Sequence, residues 1–264
     1  MKRSLPLLAA LILGSSPAYA IDERYKPYQP RPELAGHVEM RGRPAPGNLL
    51  VLWGESFRAQ QPGTVIAEGE GGIRIRAAIE ALAILVHKDN PLTCISLDQL
   101  RALYVPGAVW GAAGADGPFA AEPVKLLMRE EGLGEAAFFR EAVLGNAALP
   151  SDTARYSRAS RLLKALAAMP GGMTFLPAGY RGDGAKALQL MDRGACAAPT
   201  QTSASRAEYP LSRFVWLEGK AEGATLAFFD YVLSSHGQRD AVIAGHFMLP
   251  YVFGEEARRK LGLD

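Results

Sequence analysis

The sequence predicts an α/β fold with largely parallel sheets, and three observations carry that expectation. Short apolar runs alternate with stretches of helical spacing from Asn48 to Leu233. One run, Leu82-Ala83-Ile84-Leu85-Val86, is apolar at every position, as a strand covered on both faces must be. The composition, 48% hydrophobic and 21% charged over 264 residues, is ordinary globular usage with enough chain for a large core.

The elements follow in order. Met1 to Ala20 has a basic start (Lys2, Arg3), an apolar run from Leu5 to Leu13 and the ending Ala18-Tyr19-Ala20, which read as a signal peptide for export. The run is too short to cross a bilayer. Residues 21–37 read as an extended leader, poorly ordered over Ile21 to Arg31 because Pro27 and Pro30 interrupt a polar stretch. Asn48 to Gln60 spaces Leu49, Leu50, Leu52, Trp53 and Phe57 as one face of a helix, ended by Pro62-Gly63. Thr64 to Ile66 is a short strand leading into the glycine-rich Glu68 to Gly72. After a strand expected over Ile79 to His87, which contains the apolar run, Ser96 with Gln99 three residues on caps a helix. Strands are then expected over Glu122 to Met128, Met173 to Leu176 and Tyr209 to Leu217. Helices are expected over Ala136 to Leu144, Ser157 to Ala168 and Leu226 to Leu233.

Several function classes drop out. Without the first 20 residues, 27 basic side chains face 27 acidic ones. A neutral chain with no basic cluster does not suit nucleic acid or a membrane surface, and no later segment is apolar enough to insert in a membrane. His37, His87, His236 and His246 show no metal-ligand spacing, and no GxSxG, HExxH or Cys-His signature points to catalysis. Neither a cofactor nor an enzyme is expected. His87 and Trp53, in apolar stretches, read as packing residues. Cys94 and Cys196, 102 residues apart, form either a disulfide or two buried thiols, and export permits the former.

Four segments together resemble the phosphate-binding periplasmic proteins of bacterial ABC transporters. They are Glu80 to Leu92 followed by Ile95 to Leu100, Pro170-Gly171-Gly172-Met173-Thr174-Phe175, Tyr209-Pro210-Leu211-Ser212-Arg213, and Phe228 to Gln238. The resemblance runs over roughly residues 38 to 253. It implies a periplasmic-binding-protein-like fold, with two α/β lobes joined by crossing strands and the ligand between them. One lobe would be 38–90 with about 205–264, the other 91–204, with Tyr209 and Arg213 anchoring the connection. The implied ligand is phosphate or a related oxyanion, and the implied partner is an ABC permease or another periplasmic protein.

The resemblance places the ligand at three turns, and the sequence departs at each. The family's Gly-Ser-x-Thr turn falls on Gly42-Arg43-Pro44-Ala45, so the hydroxyls are gone. Arg43 is then a substitute donor or a solvated loop charge. A Gly/Ser-rich turn falls on Gly69-Glu70-Gly71-Gly72, and about one βα unit is missing after it, so the first lobe is shortened. The Arg-x-x-x-Ser-Gly-Thr turn falls on Arg129 to Glu135: Arg129, Gly132 and Gly134 remain, but Leu133 and Glu135 stand where serine and threonine would. Each lost hydroxyl removes a bond to a charged ligand of about 1.5–3 kcal/mol. A carboxylate at a helix start takes the place of an anion, so Glu135 or Glu131 is expected to pair with Arg129 and plug the site; otherwise Arg129 is a surface arginine in a charged turn. Two functions follow: solute capture at an eroded site, or a ligand-free scaffold acting through protein contacts.

Overall fold

The computed structural model describes residues 20–43, 47–130 and 134–263. The first elements are β1 (Gly36–Arg43), α1 (Asn48–Gln60), β2 (Thr64–Glu68), β3 (Ile73–His87), β4 (Cys94–Ser96) and α2 (Leu97–Ala102). There follow β5 (Lys125–Arg129), α3 (Glu135–Ala142), β6 (Ala154–Tyr156), α4 (Ala159–Leu166), β7 (Gly172–Pro177), β8 (Ala185–Ala187), β9 (Gln189–Asp192) and β10 (Ala195–Ala197). The chain ends with α5 (Gln201–Ser205), β11 (Ser212–Gly219), α6 (Gly223–Val232), α7 (Ser235–Ile243) and α8 (Tyr251–Leu261). The expected signal peptide lies outside the described residues apart from Ala20.

The main sheet has the strand order β2-β1-β11-β3-β7-β5-β6, with β8 also on β3, and a small sheet runs β10-β9-β4. The fold is α/β, but its sheets are mixed rather than largely parallel. Strand β3 runs antiparallel to β11, β7 and β8; the parallel pairs are β1–β2, β5–β6, β5–β7 and β4–β9. The double burial that suggested parallel pairing has another cause. Leu82, Ile84 and Val86 point into one core while Ala81, Ala83 and Leu85 point into another. Alternate side chains face opposite ways along a strand, so any strand between two cores reads as wholly apolar, whatever its neighbours' direction.

The first core gathers Trp53 and Phe57 of α1, Phe228, Phe229 and Tyr231 of α6, and the inner faces of β1, β3 and β11. Its buried residues come from 28–78 and 215–261, and those of the second core from 82–211. Truncating a ring such as Phe57 or Phe228 would cost about 3–5 kcal/mol. A third core, with Ile79, Leu162, Leu176 and Phe247, lies against the other face of β3, and three segments lead from the first core into the rest of the molecule. They are β3, β11, and the stretch around Phe247, whose backbone exchanges two hydrogen bonds with Ile79 at 3.0 and 3.1 Å. Tyr209 adds a bond from its hydroxyl to the Leu82 carbonyl at 2.7 Å.

Helix α1 has the expected bounds, and α2 carries the expected capping box between Ser96 and Gln99. The leader does not behave as a loose tail. Tyr25 and Tyr28 are buried; the Tyr25 hydroxyl donates to the Leu249 carbonyl at 2.8 Å, and Tyr28 meets Tyr231 edge-on at 5.5 Å. Two large rings bury enough area to hold a short polar segment despite its prolines. Residues Gly36 and His37 already belong to β1. Strand β3 starts at Ile73, ahead of the expected Ile79, because Arg74 and Arg76 occupy only the outer face while Ile75 and Ala77 reach the core. Cys94 and Cys196 are bonded, tying β4 to β10.

Candidate ligand-binding site

Strand directions identify where a ligand could sit. Strand β1 runs with β3 and ends at Arg43, opposite Trp216, itself opposite Arg76. Strand β7 runs against β3 and ends at Pro177, opposite Leu82, and β5 runs with β7 and ends at Arg129. The carboxy ends of strands from both halves therefore point at one stretch of β3, between Arg76 and Leu82. Ligands of open α/β sheets bind at the carboxy ends of the strands.

Charged side chains collect there. Arg129 Nη1 lies 3.3 Å from Glu135 Oε1, with side-chain exposures of 15% and 6%. Arg213 Nε donates to Glu80 Oε2 at 2.7 Å, its Nη1 lies 3.2 Å from Glu141 Oε2, and its guanidinium stacks on the Phe138 ring at 3.8 Å. Burial raises the Glu80 and Glu135 carboxyls above the usual range, while Arg213 and Arg129 respectively pull them back. Glu135 also feels the Glu80 charge, so the two ion pairs form one group. Two guanidiniums face three carboxylates, an excess of one negative charge. The Nε of Arg129 is buried without an acceptor.

Glu135 opens α3, with Gly134 as the cap residue in a positive-φ conformation (82°) that glycine adopts without strain. At that end of the helix the backbone dipole favours a carboxylate. Of the residues singled out from the sequence, Arg129, Gly134 and Glu135 come together here. Glu131 and Gly132 lie outside the described residues. Gly42 sits inside the β1–β11 ladder opposite Leu217, so it offers no turn amide to a ligand. Arg43 closes β1, and Pro44 and Ala45 lie outside the described residues. The glycines at 69 and 72 are explained by packing: a side chain at Gly69 would strike the Glu39 backbone, and one at Gly72 the Gly219 backbone. Sequence reasoning missed Glu80 and Glu141 and gave Arg213 only an anchoring role. The available signal was one carboxylate, Glu80, inside an otherwise apolar run.

Among the described residues no group of three histidines, cysteines or acids could hold a metal ion, and no helix is long and apolar enough to cross a membrane. The sequence pattern of the PBP superfamily domain matches residues 54–236. Phosphate-binding protein PstS of Pseudomonas aeruginosa is 24% identical over 98% of this chain and 98% of that protein. That alignment runs to 315 positions against 264 residues here, so about 50 positions of the relative have no counterpart. A possible phosphate binding protein from Planctomyces limnophilus superposes with a TM-score of 0.75 at 16% identity, over 87% of this chain and 99% of that one. An ABC-type phosphate transport receptor from Vibrio cholerae does so with a TM-score of 0.61 at 18% identity, over 76% and 96%. With the matched pattern spanning more than half its length, this chain belongs to the PBP superfamily.

Proposed function

We propose that this chain is an exported, periplasmic solute-binding protein that takes phosphate or a related oxyanion and presents it to an ABC permease, without transforming it. In this reading residues 38–90 with about 205–264 form one lobe and 91–204 the other, and the anion enters where their strand ends converge. The observation that carries the proposal is Arg129, half-buried at the end of β5, whose Nε–H is buried and has no acceptor. An oxyanion would supply that acceptor through a charge-assisted bond. Relatives described as phosphate-binding support the class of ligand. Calorimetric titration of phosphate into residues 21–264, with sulfate as control, tests it. Saturable binding selective for phosphate is the expected result. No heat and no thermal stabilisation at millimolar phosphate would overturn it.

One observation favours a second reading, a ligand-free scaffold that works through protein contacts. Glu135 already neutralises Arg129 from the amino end of α3, and Glu80 and Glu141 add like charge nearby. An incoming anion must then compete with a carboxylate that is part of the chain.

A further inference from the structure

The outer face of the main sheet carries a separate cationic cavity. Residues directly opposite on paired strands share a face. On the inner face Met40, Leu217 and Ile75 line the first core. On the outer face Glu218 faces Arg74, and Trp216 faces Arg76. Helix α8 leans over these strands with Phe253, Glu256 and Lys260, enclosing about 190 Å³. That is room for one small anion and some water, since a water's share of liquid volume is about 30 Å³.

The walls hold the cations in place. The Arg74 guanidinium lies 4.3 Å from the centre of the Trp216 ring, and that of Arg76 lies 5.1 Å from it and 4.6 Å from the Phe253 ring. Stacking of this kind fixes a guanidinium plane and leaves its N–H edge free to donate. Arg76 pairs with Glu256 at 3.1 Å, and its Nε is buried without an acceptor. Lys260 Nζ donates to the Arg74 carbonyl at 2.7 Å, which aims the ammonium at the cavity rim. Arg74 has no carboxylate in ion-pair range among the described residues. The cavity lining therefore has three cations and one carboxylate, Glu256, while Glu218, opposite Arg74 on the same face, pairs with Arg41 at 2.7 Å.

We infer that this cavity binds a small oxyanion group, the tetrahedral phosphate or sulfate type or a carboxylate, between Arg74, Arg76 and Lys260. The site shares no residue with the Arg129–Glu135 group and does not rest on ligand capture there. A space of about 190 Å³ between the sheet and α8 suits a small ion better than the acidic surface of a protein, which would have to reach past the helix.

Tryptophan fluorescence reads the site directly. Of the three tryptophans, Trp53 and Trp110 are fully buried, and only Trp216 borders the cavity. Inorganic phosphate, added to the mature chain at fixed ionic strength with chloride as the balancing ion, is expected to change the emission saturably. The change should vanish in Trp216→Phe, persist in Arg129→Gln, and need at least about tenfold more phosphate in Arg74→Gln/Lys260→Gln. Both of the latter side chains lie at the surface, so that variant keeps the fold. No Trp216-dependent change at tens of millimolar phosphate would overturn the inference, and an acidic protein partner would then be the remaining use of this face. An unchanged midpoint in the double variant, or loss of the signal in Arg129→Gln, would overturn it equally.

Discussion

The two arginine groups use the same chemistry in opposite ways. At the strand ends, Arg129 and Arg213 are matched by Glu80, Glu135 and Glu141, all from the chain itself. On the outer sheet face, Arg74, Arg76 and Lys260 share Glu256. In the first group the carboxylates outnumber the guanidiniums, and Glu80 and Glu135 are buried; the second group is more exposed and left positive. An arginine attracts an external anion only to the extent that the protein has not already supplied one. Buried ion pairs recover little more than their desolvation cost, so the inner group is expected to matter most when it is broken.

The largest contrast should therefore appear in stability. Arg129→Met strands Glu135 in a buried position and is expected to lower stability by about 3 kcal/mol. Arg74→Met, at an exposed position that retains its contact with Trp216, should change it by no more than about 0.5 kcal/mol. Urea midpoints at neutral pH measure both. Equal effects would mean that the inner pair is solvated and the distinction between the groups is false.

A smaller effect concerns affinity. Glu135→Thr removes the internal counterion and restores a hydroxyl at the start of α3. Oxyanion binding at the strand ends is expected to strengthen by about tenfold or more, the gain of one charge-assisted bond and the loss of one competitor. Binding at the outer cavity should not move. Calorimetry resolves the two, and an unchanged inner affinity would remove Glu135 from the role of plug.

How much of this was legible in the sequence depended on chain distance. The Arg129–Glu135 pair spans six residues, and the family's spacing suggests it, with Glu131 as the other partner it allows. The capping box of α2 is equally local. Glu80 and Arg213 lie 133 residues apart, and only the antiparallel register of β3 with β11 makes them neighbours. Strand β3 lies between two cores, and its apolar run reports that burial, not the direction of its neighbours. Helix α8 escaped notice because Arg258, Arg259 and Lys260 make it polar on most sides, and its apolar contacts face Tyr25 and Phe214, far away in sequence. Tyr25 and Tyr28 looked like loop residues for the same reason.

Acidity offers the finest discrimination. Burial raises the Glu80 and Glu135 carboxyls above the usual glutamate range, so the folded state takes up protons before the unfolded state does. Their standing cost, present where both states are ionised, is relieved as pH falls through the raised folded values. Protonating Glu135 also releases Arg129 from its partner, with Glu80, Arg213 and Glu141 the other charged groups around it. Sulfate keeps its charge across this range, so its affinity reports the protein alone. At the strand ends sulfate is expected to bind more tightly as pH drops from 7 towards 5, and Glu135→Gln should flatten that slope. The outer cavity holds no buried carboxylate, since Glu256 is exposed, so the Trp216 signal with sulfate should keep one midpoint. Parallel slopes at both places would show that the inner carboxylates do not govern access to Arg129, leaving depth alone to separate the two groups.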